Sequence, residues 1–249
     1  MRRLFALVLA LLPFGPASAE ELLLPIIAED ERPAWVAVGR VNRGGFQTRR
    51  LCSGTLVAPD LVLTAAHCVK RGNRLVNGVI PDLFFVAGWD RGAYAAAARV
   101  REVIEHPLGQ QGGAGNFRYD VALMVLADPM TGVAPLPVSA SGRAGGTLGI
   151  VGYQQDHPHI LTGRLDCPLL NRPPGMFRLG CPVRSGHSGA PVLRQGSAGW
   201  EVVGVTVARQ GETLALAVEL GAWIAGVIDR HLANPPATPV GPRESQLSE

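Results

Sequence analysis

The chain has 249 residues, 47% of them hydrophobic, and a formal net charge of +3. So small an excess leaves no basic face for nucleic acid or an anionic membrane. The length exceeds one average domain but suits a single all-β unit, enough to bury ~70–75% of its unfolded surface.

Residues 1–19 read as a cleavable secretory signal, with Arg2 and Arg3, an apolar run from Leu4 to Leu12, and Ala17-Ser18-Ala19 before a cut after Ala19. That run is shorter than the roughly 20 residues that span a bilayer. No cysteine follows to take a lipid, and no later stretch is long and apolar enough for a membrane helix. The mature chain is therefore expected to be secreted or periplasmic, monomeric and without a stable membrane anchor. Without Arg2 and Arg3 its formal charge of +3 becomes +1. Residues 20–33 are polar and irregular, a candidate propeptide, and then Trp35 to Val41 reads as a strand.

Strand-like runs recur at Gly54 to Val57, Leu61 to Thr64, Leu83 to Ala87, Val100 to Ile104 and Val121 to Leu126. Residues 128–147 carry turn chemistry and read as a linker. A second set follows at Leu148 to Tyr153, Ile160 to Pro168, Met176 to Leu179, Ala190 to Leu193, Glu201 to Ala208 and Thr213 to Val218. Trp223, Val227 and His231, with Ile224, Ile228 and Leu232, then repeat at helical spacing. Residues 234–249, with four prolines, are expected to be a disordered tail. Two sets of six strands and a terminal helix indicate an all-β fold of two antiparallel barrels, at about 34–128 and 147–220 with a helix at 221–233, within a domain spanning 34–233.

The four cysteines all lie in the exported part and allow three pairings. Cys52–Cys68 and Cys167–Cys181 are each local, closing loops worth ~3 kcal/mol apiece in the chain-entropy model. No C-x-x-C spacing supports zinc, and no metal or other cofactor is expected. Asp156-His157-Pro158-His159 offers no third ligand at fixed spacing and reads as a loop.

Three stretches carry chemistry. In Leu63-Thr64-Ala65-Ala66-His67-Cys68 an apolar strand runs into a histidine, the side chain whose unperturbed pKa of ~6.5 suits proton transfer near neutrality. In Gly186-His187-Ser188-Gly189-Ala190-Pro191 glycines flank a serine and allow a tight turn and close backbone approach. Tyr119-Asp120-Val121-Ala122-Leu123 sets an aspartate before an apolar strand, with Glu105-His106-Pro107 upstream. The serine stretch nearly fits the nucleophile elbow Gly-x-Ser-x-Gly, but an elbow is followed by a helix and then by acid and histidine. Here Pro191 and strand-like Val192-Leu193 follow, whereas His67 and Asp120 lie upstream, in the order His–Asp–Ser.

Together these stretches resemble the trypsin-like, chymotrypsin-fold serine peptidases over roughly residues 34–233. The resemblance implies two six-stranded Greek-key β-barrels with a C-terminal α-helix. It also implies a serine endopeptidase acting on peptides or proteins, with Ser188 as nucleophile, His67 as base, Asp120 as its orienting partner, and the amides of Gly186 and Ser188 as oxyanion hole. Animal members carry aspartate before the nucleophile to pair with a newly cut N-terminus; this chain has His187, and Pro25-Ile26-Ile27-Ala28 only faintly echoes that N-terminus. It is closer in character to exported bacterial, glutamyl endopeptidase-like members. Trimming within residues 20–25 is expected to be tolerated, and His187 to titrate in the range of His67. Pro182 stands where trypsin has its pocket aspartate, which disfavours Lys or Arg substrates. Arg184 and Arg209 would favour an acidic side chain, or are merely solvated. A partner-binding pseudoenzyme and an esterase-type serine hydrolase are the alternatives on the same residues.

Overall fold

The computed structural model describes residues 23–43, 51–70, 76–77, 79–110, 117–140 and 147–234. The signal segment and all of the expected tail beyond Asn234 lie outside the described residues. Among the described residues no helix is long and apolar enough to cross a membrane.

Among the described residues, twelve strands and two α-helices are formed. The first six are β1 (Val38–Arg43), β2 (Cys52–Ala58), β3 (Leu61–Thr64), β4 (Ile80–Ala87), β5 (Ala96–Glu105) and β6 (Ala122–Leu126). A four-residue helix α1 (Ala66–Val69) follows β3. The second six are β7 (Thr147–Gln154), β8 (His157–Asn171), β9 (Met176–Leu179), β10 (Pro191–Gly196), β11 (Gly199–Gln210) and β12 (Leu214–Glu219), and helix α2 (Ala222–Ala233) follows β12. Each set closes into an antiparallel barrel, in the orders β1-β2-β3-β6-β5-β4 and β7-β8-β9-β12-β11-β10. The two orders are the same Greek key.

Why the strands read as continuous apolar runs becomes clear from the core. Successive side chains of a strand point to opposite faces. In β6, Ala122, Met124 and Leu126 fill the first barrel, while Leu123 and Val125 join residues of both barrels and α2 in the layer between them. Strand β3 divides in the same way, Val62 inward and Leu61 and Leu63 outward. The second barrel has its own core around Leu148, Ile150, Phe177 and Val192. Strands β3 and β6 thus belong to the interface, and their ends carry the site.

Several expectations need correction. The run from Trp35 is not strand from its start: Arg32–Trp35 forms a 3-10 turn with Pro33 in its first positions, where a proline lacks no needed bond. Trp35 is buried beside Trp200, and β1 begins only at Val38. Asp156-His157-Pro158-His159 is not a loop. Gln155 and Asp156 form the tip of a hairpin in which Gln154 pairs with His157, and β8 runs on from there. On the terminal helix, Ile224, Val227 and Ile228 are buried as the period requires, but Leu232 is 55% exposed. His231 instead reaches Asp60, Nε2 to Oδ1 2.7 Å, and ties the helix to the first barrel.

The linker is docked to both barrels. Leu136 N–H donates to Leu56 O, and Val138 bridges Val202 of β11. The disulfides are Cys52–Cys68 and Cys167–Cys181, with Cα–Cα distances of 6.2 and 5.5 Å. Cys52, Cys68 and His67 place their ligand atoms within 4.8 Å of one another, but both sulfurs are engaged with each other.

Candidate active site

The sheet register brings the histidine and the aspartate together. Thr64 at the end of β3 pairs with Ala122 at the start of β6. The chain leaves β3 through Ala65 into α1, which presents His67; it enters β6 from a 3-10 turn, Phe117–Tyr119, which presents Asp120. Asp120 is 9% exposed. Its Oδ2 lies 2.6 Å from His67 Nδ1, and its Oδ1 accepts the His67 backbone N–H at 2.8 Å. Two contacts from one carboxylate fix the ring and its tautomer, with Nδ1 protonated and Nε2 free to accept a proton. His106 stacks on Tyr119, centroids 4.8 Å apart, and packs against Trp223 at 4.6 Å, so the terminal helix supports the turn that holds Asp120.

The serine turn comes from the other barrel. Gly186 has φ +104° and Gly189 φ +83°, the left-handed region that side chains rarely adopt. Ser53 of β2 stitches this turn to the first barrel. Its N–H donates to Ser188 O at 2.8 Å, and its Oγ donates to Gly186 O at 2.9 Å and accepts Tyr153 N–H at 2.9 Å. Within the turn, His187 N–H donates to Arg184 O and Gly189 N–H to Thr206 O. Among the described hydrogen bonds neither the Gly186 nor the Ser188 amide is a donor, so both are free for a ligand oxygen. His67, Gly186 and Ser188 share a groove of about 470 Å³ with Cys52, Cys68 and Lys70.

His187 is wholly buried and does not behave as the sequence suggests. Burial pushes its pKa down to about 3, because a charge there would lose its hydration. Arg184 N–H donates to Nδ1 at 3.1 Å, so the proton sits on Nε2, which donates to Thr162 Oγ1 at 3.0 Å. A histidine whose folded pKa is lowered below its unfolded value stabilises the fold above that range and loses this as pH falls toward 3. It takes up no proton between pH ~4 and 8, so the titration expected of it near neutrality does not occur there. The acid limb of kcat/KM should have the slope of a single proton above pH ~4, measured on a peptide substrate. A slope of two would show that His187 titrates after all.

Beside Ser188 lies a cavity of about 90 Å³, walled by Val183, Arg184, His187, Thr206, Ala208 and Arg209. Pro182 is buried and outside that wall. Neither arginine is merely solvated: Arg184 and Arg209 both bond Glu212, the latter at 2.9 Å, and Arg184 chiefly, then Arg209, holds the Glu212 carboxyl below its ordinary range. Sequence reasoning missed Ser53, Thr162 and Glu212. Only Ser53 carried a signal, its place beside Cys52.

Comparison with known proteins fits this geometry. Residues 52–205 match the family model described as a trypsin-like peptidase domain. Serine protease 23 of Rattus norvegicus is 31% identical over 165 residues, covering 57% of this chain and 42% of that protein. Trypsin of Simulium vittatum is 34% identical over 79 residues, covering 32% of this chain and 28% of that protein. The chain thus spans less than half the length of these relatives. The thermostable serine protease AL20 from an extremophilic microorganism superposes with a TM-score of 0.64 at 19% identity, covering 81% of this chain and 99% of that one. Protease Anisep from Arthrobacter nicotinovorans gives 0.63 at 19%, covering 80% and 96%. At such identity the two structures speak for the fold alone, and it is the family match over the two barrels that decides: the chain belongs to the trypsin-like serine peptidases.

Proposed function

We propose that the chain is an exported serine endopeptidase that cleaves peptide bonds through Ser188, His67 and Asp120. The observation that carries this reading is the double contact of Asp120 with His67, on the groove that also holds Ser188. In this mechanism His67 Nε2 takes the Ser188 hydroxyl proton as Oγ attacks the scissile carbonyl. The amides of Gly186 and Ser188 receive the oxyanion, and His67 passes its proton to the leaving amine. Water, deprotonated by the same ring, then hydrolyses the acyl-enzyme. Residues 1–19 would direct export to a compartment in which both disulfides persist.

The cavity beside Ser188 also supports a substrate class. Its 90 Å³ falls short of the ~150 Å³ that holds benzene in an engineered cavity. With both arginines held by Glu212, size rather than charge selects, and a short residue such as Ala, Ser or Val fits ahead of the scissile bond. The mature protein should be labelled by a fluorophosphonate and lose labelling in Ser188→Ala with its thermal unfolding intact. A peptide library should return short residues at that position. Undiminished labelling of Ser188→Ala would end the assignment, and a preference for Arg, Lys or Phe would end the small-pocket reading.

A further inference from the structure

The serine turn of this chain is anchored without any charge. Thr162 of β8 is completely buried. Its hydroxyl accepts from His187 Nε2 at 3.0 Å and donates to Gly152 O at 3.0 Å. With Arg184 N–H on Nδ1, the series Arg184 N–H, His187, Thr162, Gly152 O runs in one direction and satisfies both ring nitrogens. The backbone of His187 lies between the Gly186 and Ser188 amides, and its own N–H and C=O are held by Arg184 and Ala190. A ring fixed in this way fixes the peptides on either side of it.

Thr162 is itself held from outside the barrel. Ile26 pairs with it in an isolated antiparallel bridge. Ile27 N–H donates to Leu161 O at 3.0 Å, and Gly163 N–H donates to Pro25 O at 2.9 Å. Leu24 is buried in the core of the second barrel and Ile27 in the layer between barrels, so the segment is pinned at both ends while Ile26 faces solvent. Trimming past Leu23 would therefore remove the buried Leu24 side chain from that core.

We propose, on the reading of Ser188 as nucleophile, that Thr162 is a positioning residue and the uncut segment 25–27 its clasp: together they hold neutral His187, and through it the oxyanion-binding amides. An N-terminus released by cutting before Ile26 or Ile27 is then unnecessary, and such a cut would remove the clasp. A threonine is suited to this place because it both accepts from an N–H and donates to a carbonyl. Valine has the same shape and can do neither.

The test uses the full-length exported protein and four variants, Thr162→Val, Thr162→Ser, Ile27→Pro and Ile27→Val. Thr162→Val should lower kcat by about tenfold or more with KM within about threefold, as expected when only transition-state contacts loosen. Thr162→Ser keeps the hydroxyl and should return kcat to within about threefold of the parent. Ile27→Pro removes the amide that bonds Leu161 and should follow Thr162→Val, while Ile27→Val should follow the parent. Proton NMR supplies a readout independent of activity: a protected His187 imidazole N–H in the parent, lost in Thr162→Val. An unchanged kcat in Thr162→Val, equal losses in the Val and Ser variants, or survival of that N–H signal would each overturn the proposal. Should Thr162→Val fail to unfold cooperatively, the Ile27 pair decides by the same criteria. A parent that no fluorophosphonate labels would overturn the nucleophile reading, and the NMR signal would still judge the network.

Discussion

Asp120→Asn is expected to lose about 10⁴-fold in kcat while keeping its fold and its KM, the magnitude being that of the general Ser-His-Asp template. The argument lies in which atoms face His67. Asp120 Oδ1 receives the backbone N–H of His67, a group that can only donate. An asparagine must therefore turn its carbonyl oxygen to that amide and its NH₂ toward Nδ1. Facing a donor, Nδ1 gives up its proton and the ring carries it on Nε2. A ring protonated there cannot accept the Ser188 proton. The loss corresponds to ~5.5 kcal/mol in the barrier, far more than the removal of one exposed ion pair. Single-turnover rates on a peptide cleaved by the parent measure it, with thermal unfolding as control. A loss under about 100-fold would mean that Asp120 does not set the tautomer of a catalytic His67.

What the sequence discloses depends on how local the signal is. His67, Asp120 and Ser188 sit in short stretches whose neighbours and chain order are themselves informative, and strands β3 and β9 begin and end where their apolar runs do. Turn and strand were harder to tell apart at Trp35, where an apolar run conceals the helical preference of Pro33. The same was true at His157, where polar, part-exposed residues at the start of β8 look like a loop. Ser53, Thr162 and Glu212 were hard to read because each has a partner distant in sequence, in Gly186, His187 and Arg184. Ser53 reaches Gly186 across 133 positions. A threonine in a β-branched run gives no sign that its hydroxyl will meet a buried histidine. His187 illustrates the same limit for ionisation: its type suggests titration near neutrality, and only complete burial removes it.

The nucleophile turn offers the second large effect, one of packing rather than chemistry. Gly189→Ala is expected to destabilise the protein by about 3 kcal/mol or more and to abolish fluorophosphonate labelling. Two costs combine. At φ +83° an L side chain opposes its own backbone, at ~1–2 kcal/mol. The added Cβ would also be driven into the Ser53 carbonyl oxygen and Thr64 Oγ1, and would lie 3.1 Å from the Ser53 carbonyl carbon. None of these can step aside, because Thr64 Oγ1 donates to Ser53 O at 2.8 Å while Ser53 N–H holds Ser188 O. Gly132→Ala separates the two costs: its φ is +93°, but nothing lies within 4 Å of the new Cβ. For a domain of this size each kcal/mol moves Tm by roughly 2–4 °C. Gly132→Ala should then lose a few degrees and keep full labelling, and Gly189→Ala should lose about 10 °C with none. Equal losses in the two variants would leave only the backbone cost, and would remove the close contact between the serine turn and β2 from the account of how the two barrels build one site.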